Sequence, residues 1–352
     1  MGHGRAGRQA RAPVNAGGAH AAARTSGGTV LVTGASGMLG RAVAQRLVDD
    51  GWTVRTLQRR ASGVEGALDV RGSVTDPETV ARAVDGVAAL VHLAAKVDIV
   101  GPEAEYVAVN VDGTRTVLDA ARTAGVTRTV LVSSPSVAHT GDSLVGAGAG
   151  PAEPGSARGP YARTKAAAER LALAADQPGF RVVAVRPHVV WGPGDTQLVG
   201  RVVERARAGR LPVLGTGAPL IDTTYVDNAV DALVAALVAP EASYGQAYVV
   251  TNGEPRPVGE LIAAICAASG VPVPRRHVPA ALARAAGAGL DAAWARLPLP
   301  GEPPLTRFVA EQLSTAHWFD QRRTREALGW EPRVSLDEGL ARLAASASAV
   351  DR

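Results

Sequence analysis

Residues Thr29 to Gly40 read TVLVTGASGMLG, and the fold turns on them. Val30, Leu31 and Val32 form an apolar run suited to a strand covered on both faces of a parallel sheet. Gly34, Gly37 and Gly40 follow at GxxGxxG spacing. The first permits a tight turn, the second lets the backbone approach a pyrophosphate, and the third lets the following helix pack against the sheet. Met38 to Asp49 is predicted helical, so its first N–H groups and the positive end of its dipole face the turn, where phosphates are stabilised. Gly34, Ser36, Gly37, Met38, Leu39 and Gly40 are the candidate phosphate-binding residues of a dinucleotide site. A glycine triplet alone also marks ordinary turns, and three features further along the chain weigh against that alternative.

The first is the order of elements. Thr53 to Leu57, Ala67 to Val70, Ala88 to Leu93 and Arg128 to Val132 are predicted strands. Helices are predicted at Pro77 to Val84, opened by Asp76 as N-cap, and at Val109 to Thr123. This βαβα order implies an α/β fold with a doubly wound parallel sheet, the Rossmann arrangement. Leu93, Ala94 and Ala95 end a strand with small residues, so the backbone at Ala94 can lie close to the cofactor. Arg128 to Val132 delivers Ser133 and Ser134 to the C-terminal edge of the sheet, where such folds bind ligands.

The second is the end of the second strand. Gln58, Arg59 and Arg60 stand where an NAD-binding chain places an acidic residue for the ribose hydroxyls, and no carboxylate is available there. Arg59 or Arg60 can instead hold a 2'-phosphate by charge-assisted hydrogen bonds, which favours NADP over NAD as cofactor. The competing explanation is two solvated surface arginines.

The third follows a Gly- and Pro-rich loop at 141–160. Tyr161 and Lys165 are four apart and share one face of a predicted helix. Lys96 and Lys165 are the chain's two lysines among 37 basic residues, so a lysine here suggests that its compact ammonium matters. A tyrosine with an ordinary pKa of about 10 is a poor acid–base group at neutral pH, and an adjacent ammonium is expected to lower it. Lys165 can also hydrogen-bond the nicotinamide ribose. Ser134 is placed to orient the substrate oxygen and stabilise developing charge.

Composition narrows the alternatives. At 352 residues and 46% hydrophobic the chain fits a globular enzyme. Residues 1–28 are Gly, Ala and Arg with almost no large apolar side chain, and are expected to be a disordered tail. An N-terminal extension of a bacterial protein is preferred to a transit peptide, because no amphipathic stripe is present and the same bias runs through the chain. Removing the tail's Arg5, Arg8, Arg11 and Arg24 leaves 33 basic against 33 acidic residues, which argues against nucleic-acid binding by the folded part. The lone Cys266 cannot form an intramolecular disulfide, and no Cys/His cluster has metal-ligand spacing, so no metal and a cytoplasmic location are expected. The longest apolar candidate, Ala280 to Leu297, contains Arg284, Asp291 and Arg296, so no membrane span is expected.

These residues together resemble the extended short-chain dehydrogenase/reductases. The resemblance covers about residues 29–345 and rests on TGASGMLG, HLAAK at His92, NVDGT at Asn110, SSPSV at Ser133, YARTK at Tyr161, RPHVVWGPGD at Arg186 and TTYVDNAVDA at Thr223. It implies that Tyr161 is the catalytic acid–base, Lys165 its partner, Ser134 the substrate-orienting hydroxyl and Asn110 a supporting residue. Ala94, Lys165 and Pro187 join the cofactor-binding set. One departure is Ser73, where relatives often carry an aspartate near the adenine. Residues 29–190 are expected to form the dinucleotide-binding domain, with 223–252 returning to it, and 191–352 a smaller, mainly helical substrate lobe.

The substrate is expected to be apolar. Members acting on nucleotide sugars usually carry an arginine where this chain has Ile221, beside Leu220. Ala280 to Leu297, with Trp294, and GEPPLTRFVAEQLSTAHWFD at Gly301 are expected to roof a greasy pocket or touch a membrane surface. These segments resemble the 3β-hydroxysteroid dehydrogenase branch, most closely the 2-alkyl-3-oxoalkanoate reductases of bacterial long-chain olefin synthesis. That resemblance implies NADPH-dependent reduction of a hydrophobic keto acid, by a homodimer associated with pathway enzymes. The alternatives are a 3β-hydroxysteroid or sterol dehydrogenase, an NAD-dependent epimerase or dehydratase on another substrate, and a non-catalytic dinucleotide sensor.

Overall fold

The apolar run in the first strand is buried because successive side chains leave a strand on opposite faces, and both faces are covered. In this computed structural model, which describes residues 28–98, 101–297, 301 and 303–350, Val30 and Val32 pack on one side of the sheet and Leu31 on the other. The expected disordered tail lies outside the described residues except for Gly28.

The strands are β1 (Thr29–Thr33), β2 (Thr53–Gln58), β3 (Leu68–Arg71), β4 (Ala89–His92), β5 (Arg128–Val132), β6 (Leu144–Ala147), β7 (Arg181–Pro187) and β8 (Val190–Trp191), then β9 (Val213–Leu214), β10 (Leu220–Ile221), β11 (Thr224–Tyr225), β12 (Ala247–Val250), β13 (Arg256–Pro257), β14 (His277–Val278) and β15 (His317–Phe319). The helices are α1 (Met38–Asp49), α2 (Pro77–Val84), α3 (Glu103–Tyr106), α4 (Gly113–Thr123), α5 (Gly159–Ala174) and α6 (Val199–Arg207), then α7 (Val226–Leu237), α8 (Val258–Ala268), α9 (Ala280–Arg296), α10 (Arg307–Gln312), α11 (Arg322–Leu328) and α12 (Leu336–Val350). Seven strands form one parallel sheet in the order β12-β7-β5-β4-β1-β2-β3, the doubly wound arrangement. Val43, Ala44 and Leu47 of α1 and Val230, Leu233 and Leu237 of α7 cover the Val30 face. Val80 and Val84 of α2 and Val117, Leu118 and Ala121 of α4 cover the Leu31 face.

Beyond Pro187 the segments are largely helical, and the strands there are two to four residues long. Four short strands make a second sheet in the order β13-β10-β15-β6. Two expectations differ from the structure. The stretch 141–160 is not loop throughout: Leu144–Ala147 pairs in parallel with β15. Its four residues, LVGA, carry no alternation, so only the distant partner strand makes it extended. The helix expected at Val109 to Thr123 begins earlier, and its first part, Val107–Asp112, is π-helical. That wider turn carries the buried Asn110, and such insertions often accompany functional sites.

Candidate active site

The glycine turn closes on itself. Gly34 has φ +78°, and a Cβ there would lie 2.9 Å from the Ala94 nitrogen. A Cβ on Gly40 would lie 2.4 Å from the Gly34 carbonyl oxygen, so Gly40 lets α1 seat on the turn itself rather than on the sheet. Gly37, by contrast, has only that oxygen within reach, at 3.6 Å. It is exposed, and as N-cap of α1 it has no side chain to occupy the helix N-terminus. The geometry therefore leaves free N–H groups and open space at one spot, which fits a pyrophosphate. Ser36, Met38 and Leu39 lie in the same turn, half-buried.

At the end of β2, Gln58 is buried and its Oε1 has no partner. The expectation that no carboxylate is available there needs correction: β3 brings Asp69 alongside β2. Asp69 is already committed, accepting from Thr56 Oγ1 at 2.6 Å, Gln58 Nε2 at 3.2 Å and the Ser62 backbone at 3.0 Å. Burial raises its pKa, but these hydrogen bonds outweigh it and hold the carboxyl below its ordinary value. Arg59 and Arg60 are exposed. A third cation, missed in the sequence, is Arg41: its guanidinium lies against Gly63, 3.2 Å from where a Cβ would be. Its position just after the glycine triplet was the available signal.

At the edges of β5 and β7 the catalytic candidates meet. Ser134 caps a short 3-10 turn at Pro135–Ala138, accepting from the Ser136 backbone and hydroxyl at 3.2 and 3.0 Å. Its hydroxyl also acts on the Tyr161 phenol, favouring the ionised form. Here the expected direction is reversed. Burial pushes Tyr161 up to about 12, and the Ser134 hydroxyl only tempers this. Lys165 does not oppose it, because its Nζ donates to the Val132 carbonyl at 2.6 Å. Burial also brings Lys165 down to about 8, with Glu169 opposing. The phenol is thus a proton donor at neutral pH, and the ammonium is close to releasing its own proton.

Asn110 ties the π-helical turn to the catalytic helix. Its Oδ1 accepts from the Lys96 backbone at 2.7 Å, and its Nδ2 donates to the Lys96 carbonyl and to Thr164 Oγ1, each at 3.1 Å. His92 bonds Thr33 Oγ1 at 2.7 Å and Thr114 Oγ1 at 3.0 Å, linking β1, β4 and α4. Burial, followed by the Lys165 charge, drops its pKa to about 3, so its imidazole stays neutral. Lys96 is a surface ion-pair residue, with Asp98 at 2.7 Å and Glu105 at 3.1 Å.

Two groups of residues were missed because their partners are far apart in sequence. Glu169 on α5 receives Arg186 Nε at 2.8 Å and Nη2 at 2.5 Å, and Arg186 Nη1 donates to the Gly150 carbonyl at 2.7 Å. The pair lies buried one helical turn beyond Lys165. His139, His188 and His317 pack ring against ring at 4.7 and 5.9 Å. Burial lowers His188 to about 4 and His317 to about 3. Between Pro187, which ends β7, and β8, Val189 has φ +46°, a strained conformation for a β-branched residue. Several motif residues prove structural: Asp222 accepts from Thr251 Oγ1 and the backbones of Gly253 and Glu254, and Asn228 holds the Arg333 and Val334 backbones.

The segment expected to roof a greasy pocket takes a different form. α9 packs on α10, where a Cβ on Gly287 would lie 2.6 Å from the Arg307 nitrogen. The cavity they border is lined by arginines as well as alanines, and His317 goes into the second sheet. No described helix is long and apolar enough to cross a membrane.

Comparison with known proteins agrees with this geometry. The family model described as the NAD dependent epimerase/dehydratase family matches residues 30–251. The chain is 44% identical to a 2-alkyl-3-oxoalkanoate reductase of Stenotrophomonas maltophilia, over 91% of this chain and 99% of that protein. It is 37% identical to one from Shewanella oneidensis, over 90% and 85%, and 31% identical to a 3-beta-hydroxysteroid dehydrogenase of Mycolicibacterium neoaurum, over 90% and 91%. Among solved structures, MoeE5 in complex with UDP-glucose and NAD superposes with a TM-score of 0.72 at 25% identity, covering 92% of this chain and all of that one. Sheet, glycine turn and Tyr–Lys helix with these relatives establish that the chain belongs to the NAD dependent epimerase/dehydratase family, as an extended short-chain dehydrogenase/reductase similar to the 3β-hydroxysteroid dehydrogenases, an NAD(P)-dependent oxidoreductase acting on a hydroxyl or keto group.

Proposed function

We propose that this protein reduces a long-chain 2-alkyl-3-oxo acid to the 3-hydroxy acid with NADPH. The observation that carries the reading is that α5 brings Tyr161 and Lys165 to the end of β5, where Ser134 follows the strand and Lys165 Nζ reaches the Val132 carbonyl. A bound reduced nicotinamide supplies the hydride. Ser134 holds the carbonyl oxygen, and Tyr161 gives that oxygen its proton as negative charge develops there. The resulting phenolate would be offset by the Lys165 ammonium, one turn along α5, through the N–H donors that the Val132 carbonyl does not take. Lys165, Ala94 and Pro187 would hold the nicotinamide half, and the glycine turn the pyrophosphate.

NADPH is favoured because Arg41, just after the glycine turn, and Arg59 and Arg60, exposed after β2, make no ion pair among the described residues and are available to a 2'-phosphate, while Asp69 is occupied. The keto acid is favoured by the names of the relatives at 44% and 37% identity. Ile221 is buried in β10, so no guanidinium stands at the position used for a sugar diphosphate. The second reading, a 3β-hydroxysteroid dehydrogenase, draws on the relative at 31% identity. Residues 29–190 with 223–252 form the nucleotide-binding unit in this proposal, and 191–352 the substrate lobe. Initial rates with NADPH or NADH and a 2-alkyl-3-oxo acid, against NAD and a 3β-hydroxysteroid, separate the two. Turnover of the steroid alone would overturn the first reading.

A further inference from the structure

Three residues before Tyr161, the N-cap of α5 is Arg158. Its Nε donates to the Thr140 carbonyl at 2.8 Å, and its guanidinium occupies space that a side chain at Gly141 would fill, since a Cβ there would lie 2.8 Å from Nη2. Arg158 forms one wall of a cavity of about 420 Å³ whose other walls come from α9 and α10. Arg284 and Arg307 also face this cavity, with Ala285 and Ala288 between them on α9.

The charges there are unevenly committed. Arg307 Nε is taken by Glu311 Oε1 at 2.8 Å, and Asp142 supplies the one other carboxylate in the lining. Arg284 makes no hydrogen bond or ion pair among the described residues. One buried group here that can donate to an anion also lacks a partner: the His139 ring, neither of whose nitrogens is hydrogen-bonded. His139 directly precedes Thr140, whose carbonyl takes the Arg158 Nε. A buried polar group left unpaired costs free energy unless a ligand or water meets it.

We propose that this cavity is the subsite for the substrate's carboxylate, with Arg284 and Arg158 as its cationic partners and the alanine face of α9 beside the alkyl chain. The assignment rests on the keto-acid reading above and deepens it. In a 3-oxo acid the carboxyl carbon is two bonds from the carbonyl carbon, so its anchor must stand close to Tyr161. Arg158 caps the helix whose third residue is Tyr161, so the cavity wall and the phenol belong to one helix end. A neutral sterol offers these guanidiniums nothing.

The test uses the stable reverse substrate, a 2-alkyl-3-hydroxy acid, and its methyl ester, each oxidised with NADP+ by the full-length protein. Wild type is expected to prefer the acid. Arg284→Gln is expected to lower the acid-over-ester ratio of kcat/KM by roughly tenfold or more, as loss of a charged hydrogen-bond partner does. The loss should lie in KM for the acid, and Arg284→Lys should restore part of it. An ester handled as well as the acid by wild type, or a ratio unmoved by Arg284→Gln, overturns the subsite alone. If neither acid nor ester is oxidised, the keto-acid reading falls and the subsite with it.

Discussion

Replacing Glu169 by glutamine keeps the shape of a side chain and deletes one charge from the interior. Arg186 reaches both Glu169 oxygens, at 2.8 and 2.5 Å, and the two side chains are 2% and 1% exposed, so water cannot take the missing partner's place. Breaking such a pair from one side costs roughly 3–5 kcal/mol, because the surviving charge stays buried. Set against a stability of about 5–15 kcal/mol, the variant should still fold. At roughly 1.4 °C per kcal/mol for a chain of 352 residues, its Tm should fall by roughly 4–7 °C. A second effect follows from position. Glu169 opposes the burial that brings Lys165 down to about 8, so Glu169→Gln should bring it lower still. The alkaline limb of the reduction rate should then move to more acid pH. Thermal melts and a pH–rate profile measure both, and Glu169→Met with Arg186→Leu should recover most of the lost Tm. A Tm indistinguishable from wild type, or an alkaline limb that stays in place, would refute the reasoning.

The other expected outcomes concern charge and close contact. Below pH 8 Lys165 is protonated in both native and unfolded chains, so the native state bears the full cost of burying it; between about 8 and 10.5 the native chain alone releases that proton. Wild type should therefore gain on Lys165→Met across that window by up to roughly 3 kcal/mol, read from urea midpoints without nucleotide. His92, His188 and His317, held to about 3, 4 and 3, stay neutral in the native chain while unfolded imidazoles take protons below 6.5. The stability they lend above pH 6.5 should be lost as pH falls towards those values, by up to roughly 4 kcal/mol per pH unit; urea midpoints that stay level from pH 7 to 5 would contradict this. Gly40→Ala puts a Cβ 2.4 Å from the Gly34 oxygen, and fluorescence titration should show at least roughly tenfold weaker nucleotide binding. Arg41→Ala combined with Arg59→Ala and Arg60→Ala should erase any preference for NADPH over NADH in steady-state rates.

Much of the sheet was legible because its signals are local. β1, α1 and β5 lie where the apolar runs, glycines and periodicity put them, and Asp76 caps α2 as its position before Pro77 suggested. What stayed hidden depends on partners distant in sequence. β6 exists only because β15 lies beside it, Glu169 on α5 finds Arg186 on β7, and Asp69 reaches Gln58 through strand pairing. The acidity of Tyr161 was misjudged for a related reason: sequence shows that a lysine is near, but not that the helix buries the phenol while Lys165 turns to Val132.

The order in which the strands and helices are laid down has a consequence for synthesis. α7, which covers the Val30 and Val32 side of the sheet, and β12, which closes its edge beside β7, follow the central strands by tens of residues. A nascent chain that has already emitted β1 to β7 therefore presents a hydrophobic face covered by α1 alone and the open outer edge of β7 until residue 250 has left the ribosome. Shortening the gene between Pro187 and Val226, or stalling translation there, should direct the product towards aggregation and chaperones rather than towards a smaller stable protein.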